Sequence, residues 1–188
     1  MSRTVVTEAT REIPVLAEAD VIVAGGGSAG WAAAIAAARE GASTVLVEQN
    51  AYSAGLMCEF GPLGDGKHQI VGGVLHDIIC LAHNNIDIHE PTGVGFWHRF
   101  LAPGTYYEVP YQSLLPQTLD GLLVTGRCLS ATHEALGSAR VMCITMPVGE
   151  ATGVAAAICA TRNIQPRALD AQQLRNQLLA RGVLLSPV

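Results

Sequence analysis

The clearest pattern of apolar and polar positions lies near the amino terminus. The apolar run Val21–Ala24 stops at three consecutive glycines, and an alanine-rich stretch over residues 31–40 follows. A second apolar run, Thr44–Val47, comes after Gly41, a residue suited to the left-handed position that ends a helix. These patterns predict a strand, a tight turn, a helix and a second strand, which form a βαβ unit over residues 20–48.

The remaining patterns are weaker, and they predict three more helices and two more strands. Apolar residues from Val71 to Asn84 recur about every 3.6 positions, which is typical of a helix. No regular element is predicted for residues 86–105. The further elements are strands at Tyr106–Pro110 and Leu122–Thr125, a helix that begins near Gly149 just after Pro147, and a last helix capped by Asp170 with Gln173 in the capping-box position.

Some expectations concern burial. In the last helix, Leu174, Leu178 and Leu179 should face inward. Trp31, in the first turn of the first helix, is expected in the core rather than beside a ligand. The five cysteines include no CxxC pair, which favours a reducing cytoplasm with most of the thiols in the core.

Composition narrows the class of protein. A chain of 188 residues is long enough for one domain, and 49% hydrophobic with 14% charged residues is typical of a folded protein. The net charge of −5 disfavours a nucleic-acid partner. No apolar run reaches the roughly 18 residues that a membrane span needs, and the amino terminus lacks the apolar stretch of a signal peptide.

The glycines of the first unit suggest a binding function. Gly25, Gly27 and Gly30 fit the G-x-G-x-x-G spacing, in which the glycines allow a tight turn, close approach of a pyrophosphate and close packing of the helix. Glu48 ends the second strand, where a carboxylate can accept hydrogen bonds from ribose hydroxyls. Glycine turns also occur at plain strand–helix junctions, but the whole arrangement favours dinucleotide binding.

The chain resembles a known family in three segments. DVIVAGGGSAGWAAAIAAAREGASTVLVEQ is similar to the amino-terminal unit of glutathione-reductase-type FAD proteins. VPYQSLLPQTLDGLLVTGRCLSATHEALGSARVMCITMPVGEATGVAAA resembles the carboxy-terminal signature of the FAD-dependent oxidoreductases, and KHQIVGGVLHDIICLA resembles a helix of that family. The resemblance implies an α/β fold: one Rossmann-like FAD-binding domain over residues 1–188, with a central, mostly parallel sheet and the carboxy-terminal FAD-binding motif over residues 106–162.

The resemblance also implies FAD as a non-covalent cofactor and assigns residues to it. Gly25, Gly27, Ser28, Ala29 and Gly30 would hold the pyrophosphate, Glu48 the ribose, with Gln49 and Gly55 on the following ligand-side loop, Gly126 and Arg127 at the pyrophosphate or ribitol, and Gly149, Ala151, Thr152 and Gly153 at a helix start facing the isoalloxazine. A helix start there would stabilise the negative charge of reduced flavin.

The chain departs from this family in one large respect. Similar proteins insert a substrate domain where this chain has only residues 85–105. We therefore expect a homo-oligomer in which a second copy covers the gap, since large apolar patches are rare on monomers. The candidate contact is a set of aromatic residues, which could instead fold back as a lid over their own flavin: Phe96, Trp97, Phe100, Tyr106 and Tyr107.

The catalytic candidates are few. His133 could transfer a proton during redox chemistry or only orient a loop, and Arg140 could bind an anionic small-molecule substrate or be a plain surface residue. Cys58 has no second cysteine at CxxxxC spacing, and the histidines show no metal-binding spacing, so neither dithiol chemistry nor a metal is expected. The competing functions are a minimal FAD-dependent oxidoreductase, a non-catalytic flavin-binding subunit or electron carrier, and an NAD(P)-binding module.

Overall fold

A computed structural model describes residues 10–49, 77–89 and 95–186. The strands are β1 Val21–Ala24, β2 Thr44–Val47, β3 Ile78–Ala82, β4 Ile86–His89, β5 Phe96–Arg99 and β6 Tyr107–Pro110. The helices are α1 Ser28–Arg39, α2 His133–Ala139, α3 Met142–Arg162 and α4 Ala171–Ala180, with single 3-10 turns at Tyr111–Leu114, Gly126–Cys128 and Pro166–Ala168.

The amino-terminal βαβ unit is confirmed. Strands β1 and β2 pair in parallel, and α1 connects them. At the start of the unit the Asp20 carboxylate accepts hydrogen bonds from both the backbone N–H and the hydroxyl of Ser43 at 2.8 Å. These bonds lower the pKa of Asp20, because they stabilise its charged form. Gly41 has a φ of 91°, so it takes the expected left-handed position after α1.

Helix α3 is the centre of the fold. One core cluster joins it to β3, β6 and α4, and Val148, Ala151 and Val154 are fully buried there. A second, smaller cluster joins Ala157 to residues of β1 and α1. A helix covered on several sides needs apolar residues all round, which explains its composition.

This composition corrects one expectation about apolar runs. The 21 residues of α3 are long and apolar enough to cross a membrane by length and composition alone, and an 18-residue stretch of the helix has a mean hydropathy of 1.5. However, 61% of that stretch is buried within the fold, and core helices pass the same test. The length of α3 is therefore weak evidence for a membrane span.

The prediction of a helix from Val71 to Asn84 is wrong for the described part of that range. Residues 78–82 form β3, which pairs antiparallel with β6. Ile78, Ile79, Cys80 and Ala82 are all buried, so the run is apolar on both strand faces. A short, continuously apolar run fits a buried strand and a buried helix equally well, which is why its spacing misled.

The expected central parallel sheet is not found in the described residues. They form three separate two-stranded sheets, β1–β2, β3–β6 and β4–β5, and the first is parallel while the other two are antiparallel. Leu122–Thr125 was predicted as a strand, but it runs as an irregular segment with a backbone hydrogen bond from Val124 N to Leu114 O at 2.8 Å. The strand at Tyr106–Pro110 is confirmed as β6.

Residues 86–105 contain more structure than the sequence predicted. β4 and β5 form an antiparallel hairpin in which Asp87 pairs with His98, and their side chains lie 3.1 Å apart. Helix α2, which the sequence analysis did not predict, packs on β4. The approach is close, since a Cβ on Gly137 would lie 3.0 Å from the backbone oxygen of Asp87.

The last helix and its N-cap are as predicted, but the capping box is not. Asp170 caps α4 by accepting a hydrogen bond from Gln172 N at 3.0 Å, and Leu174 and Leu178 are fully buried. Gln173 accepts a bond from the Arg162 guanidinium instead of closing a capping box.

Three expectations about burial fail. The prediction that Leu179 faces inward is wrong, since 44% of it is exposed. Trp31 is 38% exposed and lines an open groove of about 290 Å³ between α1 and α3, so the expectation of a core position is also wrong. Of the described cysteines, Cys80 and Cys159 are buried and Cys128 and Cys143 are exposed, so the thiols do not lie mostly in the core.

Candidate functional site

The first and third glycines of the turn between β1 and α1 perform the roles that the motif predicts. Gly25 has a φ of 105° and donates its N–H to Val47 O at 2.8 Å, which ties the turn to the end of β2. A Cβ on Gly30 would lie 1.9 Å from Gly25 O, so only glycine allows the helix to start this close to the strand.

The second glycine faces open space. Gly27 is the N-cap of α1 with an ordinary extended backbone, and a Cβ built on it would meet no atom within 4 Å. A glycine at this position is therefore not required by packing or by backbone strain. The open space above it lies at the start of α1, where free backbone N–H groups favour an anion.

Glu48 lies at the edge of this turn. It follows β2, is half-buried, and accepts a hydrogen bond from the backbone N–H of Gly26 at 2.5 Å. A Cβ on Gly26 would lie 3.0 Å from the same carboxylate oxygen, so glycine at that position gives the carboxylate room. The turn and the carboxylate are thus joined directly. Binding of a ribose by Glu48 stays a prediction.

Helices α1 and α3 pack side by side and run in the same direction. A Cβ on Gly149 would lie 2.2 Å from Ala29 O, and a Cβ on Gly153 would lie 2.1 Å from Ala33 O. The two glycines, four residues apart, therefore face two alanines that are also four residues apart. Because no side chain separates them, the backbones approach as closely as in the small-residue helix pairs of membranes.

The parallel arrangement brings the start of α1 beside the first turn of α3. The hydroxyl of Ser28, the first residue of α1, lies 2.9 Å from the hydroxyl of Thr145 in the first turn of α3. Each helix carries a partial positive charge at its amino-terminal end. The start of α1 opens directly on the space at Gly27. Helix α3 begins about 9 Å before that point along the shared direction, since its eighth residue, Gly149, lies beside Ala29, the second residue of α1.

A third segment meets the same place. Gly126 has a φ of 66°, and a Cβ on it would lie 3.0 Å from the Cβ of Ala29. Arg127 follows it at the surface. The hydroxyl of Thr125 is buried and has no hydrogen-bond partner among the described residues, which is unusual for a buried polar group.

The predicted helix start near Gly149 is wrong. Helix α3 begins at Met142, so Pro147 is its sixth residue and Gly149 is its eighth. The positions assigned to an isoalloxazine-facing helix start lie inside the helix and are buried: Gly149, Ala151, Thr152 and Gly153. The two glycines are needed where α3 crosses α1, and Thr152 donates its hydroxyl proton to Val148 O at 2.7 Å.

The two catalytic candidates are not brought together. His133 is exposed at the first position of α2, and Arg140 is the C-cap at the other end, about 10 Å along the axis. Arg140 donates a hydrogen bond to Asp87 O at 2.9 Å and so fastens α2 to β4. This contact gives Arg140 a structural role that the sequence did not indicate.

Of the other predicted site residues, only Gln49 lies in the described part of the chain. Gln49 is exposed directly after Glu48, on the side of the turn. Gly55 and Cys58 lie outside the described residues.

Burial raises the pKa of the Cys80 thiol to about 12 and also raises the pKa of Cys143, which lies in the first turn of α3. Neither thiol is therefore a thiolate at neutral pH.

Comparison with known protein families identifies the family of this chain. A family model described as FAD dependent oxidoreductase matches residues 20–78 and 65–178. The chain belongs to this family. FAD is therefore the cofactor of this FAD-dependent oxidoreductase, and a FAD-linked redox role follows. No curated protein and no solved structure matched the chain.

The residues present fit FAD. A pyrophosphate needs anion-binding N–H groups and room beside the backbone, and the open space at Gly27 at the start of α1 offers both. A ribose needs a fixed acceptor, and Glu48 is held in place by Gly26. The unpartnered Thr125 hydroxyl adds a polar group next to Gly126.

Sequence reasoning missed Thr145. It is 3% exposed, and its hydroxyl joins α3 to α1. A buried threonine in an apolar helix was a weak signal, because such hydroxyls usually bond to the preceding turn of their own helix. The spacing of Gly149 and Gly153 was the stronger signal, since two glycines four residues apart are typical of a close helix contact.

Proposed function

We propose that the protein is a minimal FAD-dependent oxidoreductase that binds FAD without a covalent bond and acts on a small molecule. Its single FAD-binding domain carries a short replacement, residues 85–105, for the substrate domain expected of longer family members. The main observation in support is the meeting of the glycine turn, Glu48 and the start of α1 at one open space, with Thr145 of the adjacent helix bonded to Ser28.

The residues that would hold FAD come from three segments. The turn residues Gly25, Gly27, Ser28, Ala29 and Gly30 would bind the pyrophosphate, Glu48 the ribose hydroxyls, and Gly126 and Arg127 the central part of the cofactor. When bound, FAD supplies the hydride and electron transfer. The protein would supply orientation and a fixed dipole, since the start of α1 would stabilise the anionic group without reorganisation.

Packing keeps this geometry rigid. Any movement of α3 relative to α1 would separate Gly149 from Ala29 and Gly153 from Ala33, which are in backbone contact. The start of α1 is therefore held by rigid helix packing, and the turns that carry Glu48 and Gly126 adjoin it. This arrangement fits a protein that must hold a large cofactor with few charged side chains.

The direct test is identification of the released cofactor and of turnover. We expect heat-treated protein to release FAD, and we expect the loaded protein to reduce simple artificial acceptors with small-molecule donors. Gly27→Ala is the matched control, because it fills the open space without a packing conflict and should release little FAD. Recovery of FMN alone, or of no flavin from folded protein, would contradict the proposal.

A second candidate is a flavin-binding subunit or electron carrier that acts with a partner protein. It is favoured by the separation of His133 from Arg140 at opposite ends of α2. His133→Asn distinguishes the two candidates. An oxidoreductase in which His133 transfers a proton should lose most of its turnover, whereas a carrier should exchange electrons with one-electron reagents at an unchanged rate.

We also propose that the active form is a homo-oligomer. Trp97 is 43% exposed and Phe100 is 73% exposed on and next to the outer strand of the β4–β5 hairpin, and Tyr106 is also exposed. Tyr107 is not available for such a contact, because it is 3% exposed and bonds to Ser138 at 2.7 Å.

Light scattering tests this proposal. An oligomer should be the FAD-loaded species, and dilution should reduce flavin retention. Trp97→Ser should shift the equilibrium towards monomer, whereas Leu184→Ser, another exposed position, should not. An active, FAD-loaded monomer would contradict the proposal and favour the alternative in which the aromatic residues cover their own flavin.

A further inference from the structure

The bond between Ser28 and Thr145 joins two hydroxyl groups at the start of two helices. Their oxygens are 2.9 Å apart, and either atom can be the donor. Thr145 is almost fully buried and belongs to α3, whereas Ser28 is the first residue of α1 and lies beside Gly27. Any anion that enters the open space at Gly27 therefore lies next to one member of this pair.

Each hydroxyl has one proton to donate and two lone pairs to accept with. Thr145 has a second neighbour, the backbone oxygen of Met142 at 3.4 Å, which can only accept. When Thr145 donates to Met142, it accepts from Ser28, so the Ser28 proton points away from the open space. When Thr145 donates to Ser28 instead, the Ser28 proton is free to bind an anion.

The second arrangement is the one that an anion selects. The bond from Thr145 to Met142 is long at 3.4 Å, so little is lost when Thr145 turns its proton to Ser28. Ser28 then donates a hydrogen bond to the anion and accepts one from Thr145. Hydrogen bonds to a charged group are stronger than those between neutral groups, which favours this switch.

From this geometry we infer that Thr145 is a positioning residue for the pyrophosphate of FAD, acting through the hydroxyl of Ser28. This inference rests on the proposed cofactor site, and it adds a residue that the glycine motif does not contain. Thr145 does not touch the cofactor. It orients the Ser28 proton, and it couples the start of α3 to the occupancy of the site at the start of α1.

The test measures ligand affinity rather than turnover, using Thr145→Val, Thr145→Ser, Ser28→Ala and the double variant. Valine keeps the shape of threonine and removes the hydroxyl. We expect Thr145→Val to weaken binding of FAD and of ADP by about threefold to tenfold, and we expect Thr145→Ser to restore it. Binding of adenosine, which lacks the pyrophosphate, should not change.

The double variant tests the coupling. If Thr145 acts through Ser28, removal of both hydroxyls should weaken FAD binding no more than removal of the Ser28 hydroxyl alone. Additive losses would overturn the inference, and so would an equal loss of adenosine affinity, which a general distortion of the site would cause. A Thr145→Val protein that binds FAD as tightly as the original would overturn it as well.

These outcomes differ from a failure of the proposed oxidoreductase function. In that case the original protein would bind FAD and ADP but would not turn over any donor and acceptor. The affinities of the four variants would still decide the role of Thr145.

Discussion

Two glycine-rich segments of this chain look alike in sequence but differ in structure. Residues 25–30 form a turn that leads into α1, and Gly25 has a positive φ there. Residues 149–153 lie inside α3, where Gly149 and Gly153 have helical neighbours on both sides. In the first segment glycine allows a positive φ and leaves space for a ligand. In the second segment it allows close contact between two helices.

The difference shows that the missing side chain of glycine can have two separate roles. Around Gly27 the absent Cβ leaves open space, while at Gly153 the same absence is filled by the backbone of Ala33. Sequence spacing alone does not distinguish these cases. The distinction comes from what lies within 4 Å of the absent atom. The same Gly→Ala change should therefore lower stability in the second segment and cofactor affinity in the first.

The largest effect is expected for Gly153→Ala. Helix propensity alone would make this change stabilising by about 1 kcal/mol. Because the new Cβ would lie 2.1 Å from Ala33 O, the helices must separate, and we expect a net loss of about 2 kcal/mol in the free energy of unfolding. Urea unfolding followed by circular dichroism measures this loss.

The control is Ala38→Gly, at an exposed position of α1. Here propensity acts alone, and the loss should be about 1 kcal/mol. If Gly153→Ala stabilised the protein, the contact between α1 and α3 would not be as close as the structure shows.

A smaller effect is expected for Glu48→Ala in the first segment. The change removes the acceptor that Gly26 holds in place, and a hydrogen bond to a charged group contributes about 1.5–3 kcal/mol. FAD affinity should fall roughly tenfold or more, as measured by fluorescence titration. An unchanged dissociation constant would show that the ribose is not bound by this carboxylate.

Gly27→Ala should separate binding from stability. The added Cβ meets no atom within 4 Å and causes no backbone strain, so the free energy of unfolding should change by less than about 1 kcal/mol. The methyl group would occupy the space proposed for the pyrophosphate, and we expect about a tenfold loss of FAD affinity. Equal FAD binding by this variant would place the pyrophosphate elsewhere.

The smallest effect is expected for Thr152→Val in the second segment. Thr152 was predicted to contact the cofactor, but its hydroxyl is buried and bonds to Val148 O within α3. Loss of this bond should lower the free energy of unfolding by about 1 kcal/mol or less and leave FAD affinity unchanged. A large loss of FAD affinity in calorimetric titration would show that Thr152 contributes to the cofactor site after all.

The parts of the fold that could be predicted are those fixed by local rules. The turn at Gly25 and Gly30, the left-handed Gly41 and the cap at Asp170 each depend on residues within a few positions of one another. Glu48 could also be placed, because parallel pairing of β1 and β2 brings the end of β2 beside the turn.

The parts that could not be predicted depend on distant partners. Whether residues 78–82 form a helix or a strand is decided by pairing with β6, 25 to 32 residues away in the chain. The first turn of α3 is bonded through Thr145 to Ser28, which is 117 residues away in the sequence. Composition and periodicity contain no information about such pairings.

Pro147 weakens the hydrogen bonding that joins the first turn of α3 to the rest of the helix. It has no N–H for the carbonyl of Cys143, so the ladder of hydrogen bonds is interrupted between the first turn and the buried body of the helix. The first turn can therefore open locally at a lower free energy than the rest of α3, and amide hydrogen exchange should be faster at Thr145 than at Val154. A ligand that tightens the bond between the Ser28 and Thr145 hydroxyls should slow amide exchange in this turn first. Exchange rates in α3 would then report binding of the cofactor to the site at the start of α1, without direct contact between α3 and the cofactor.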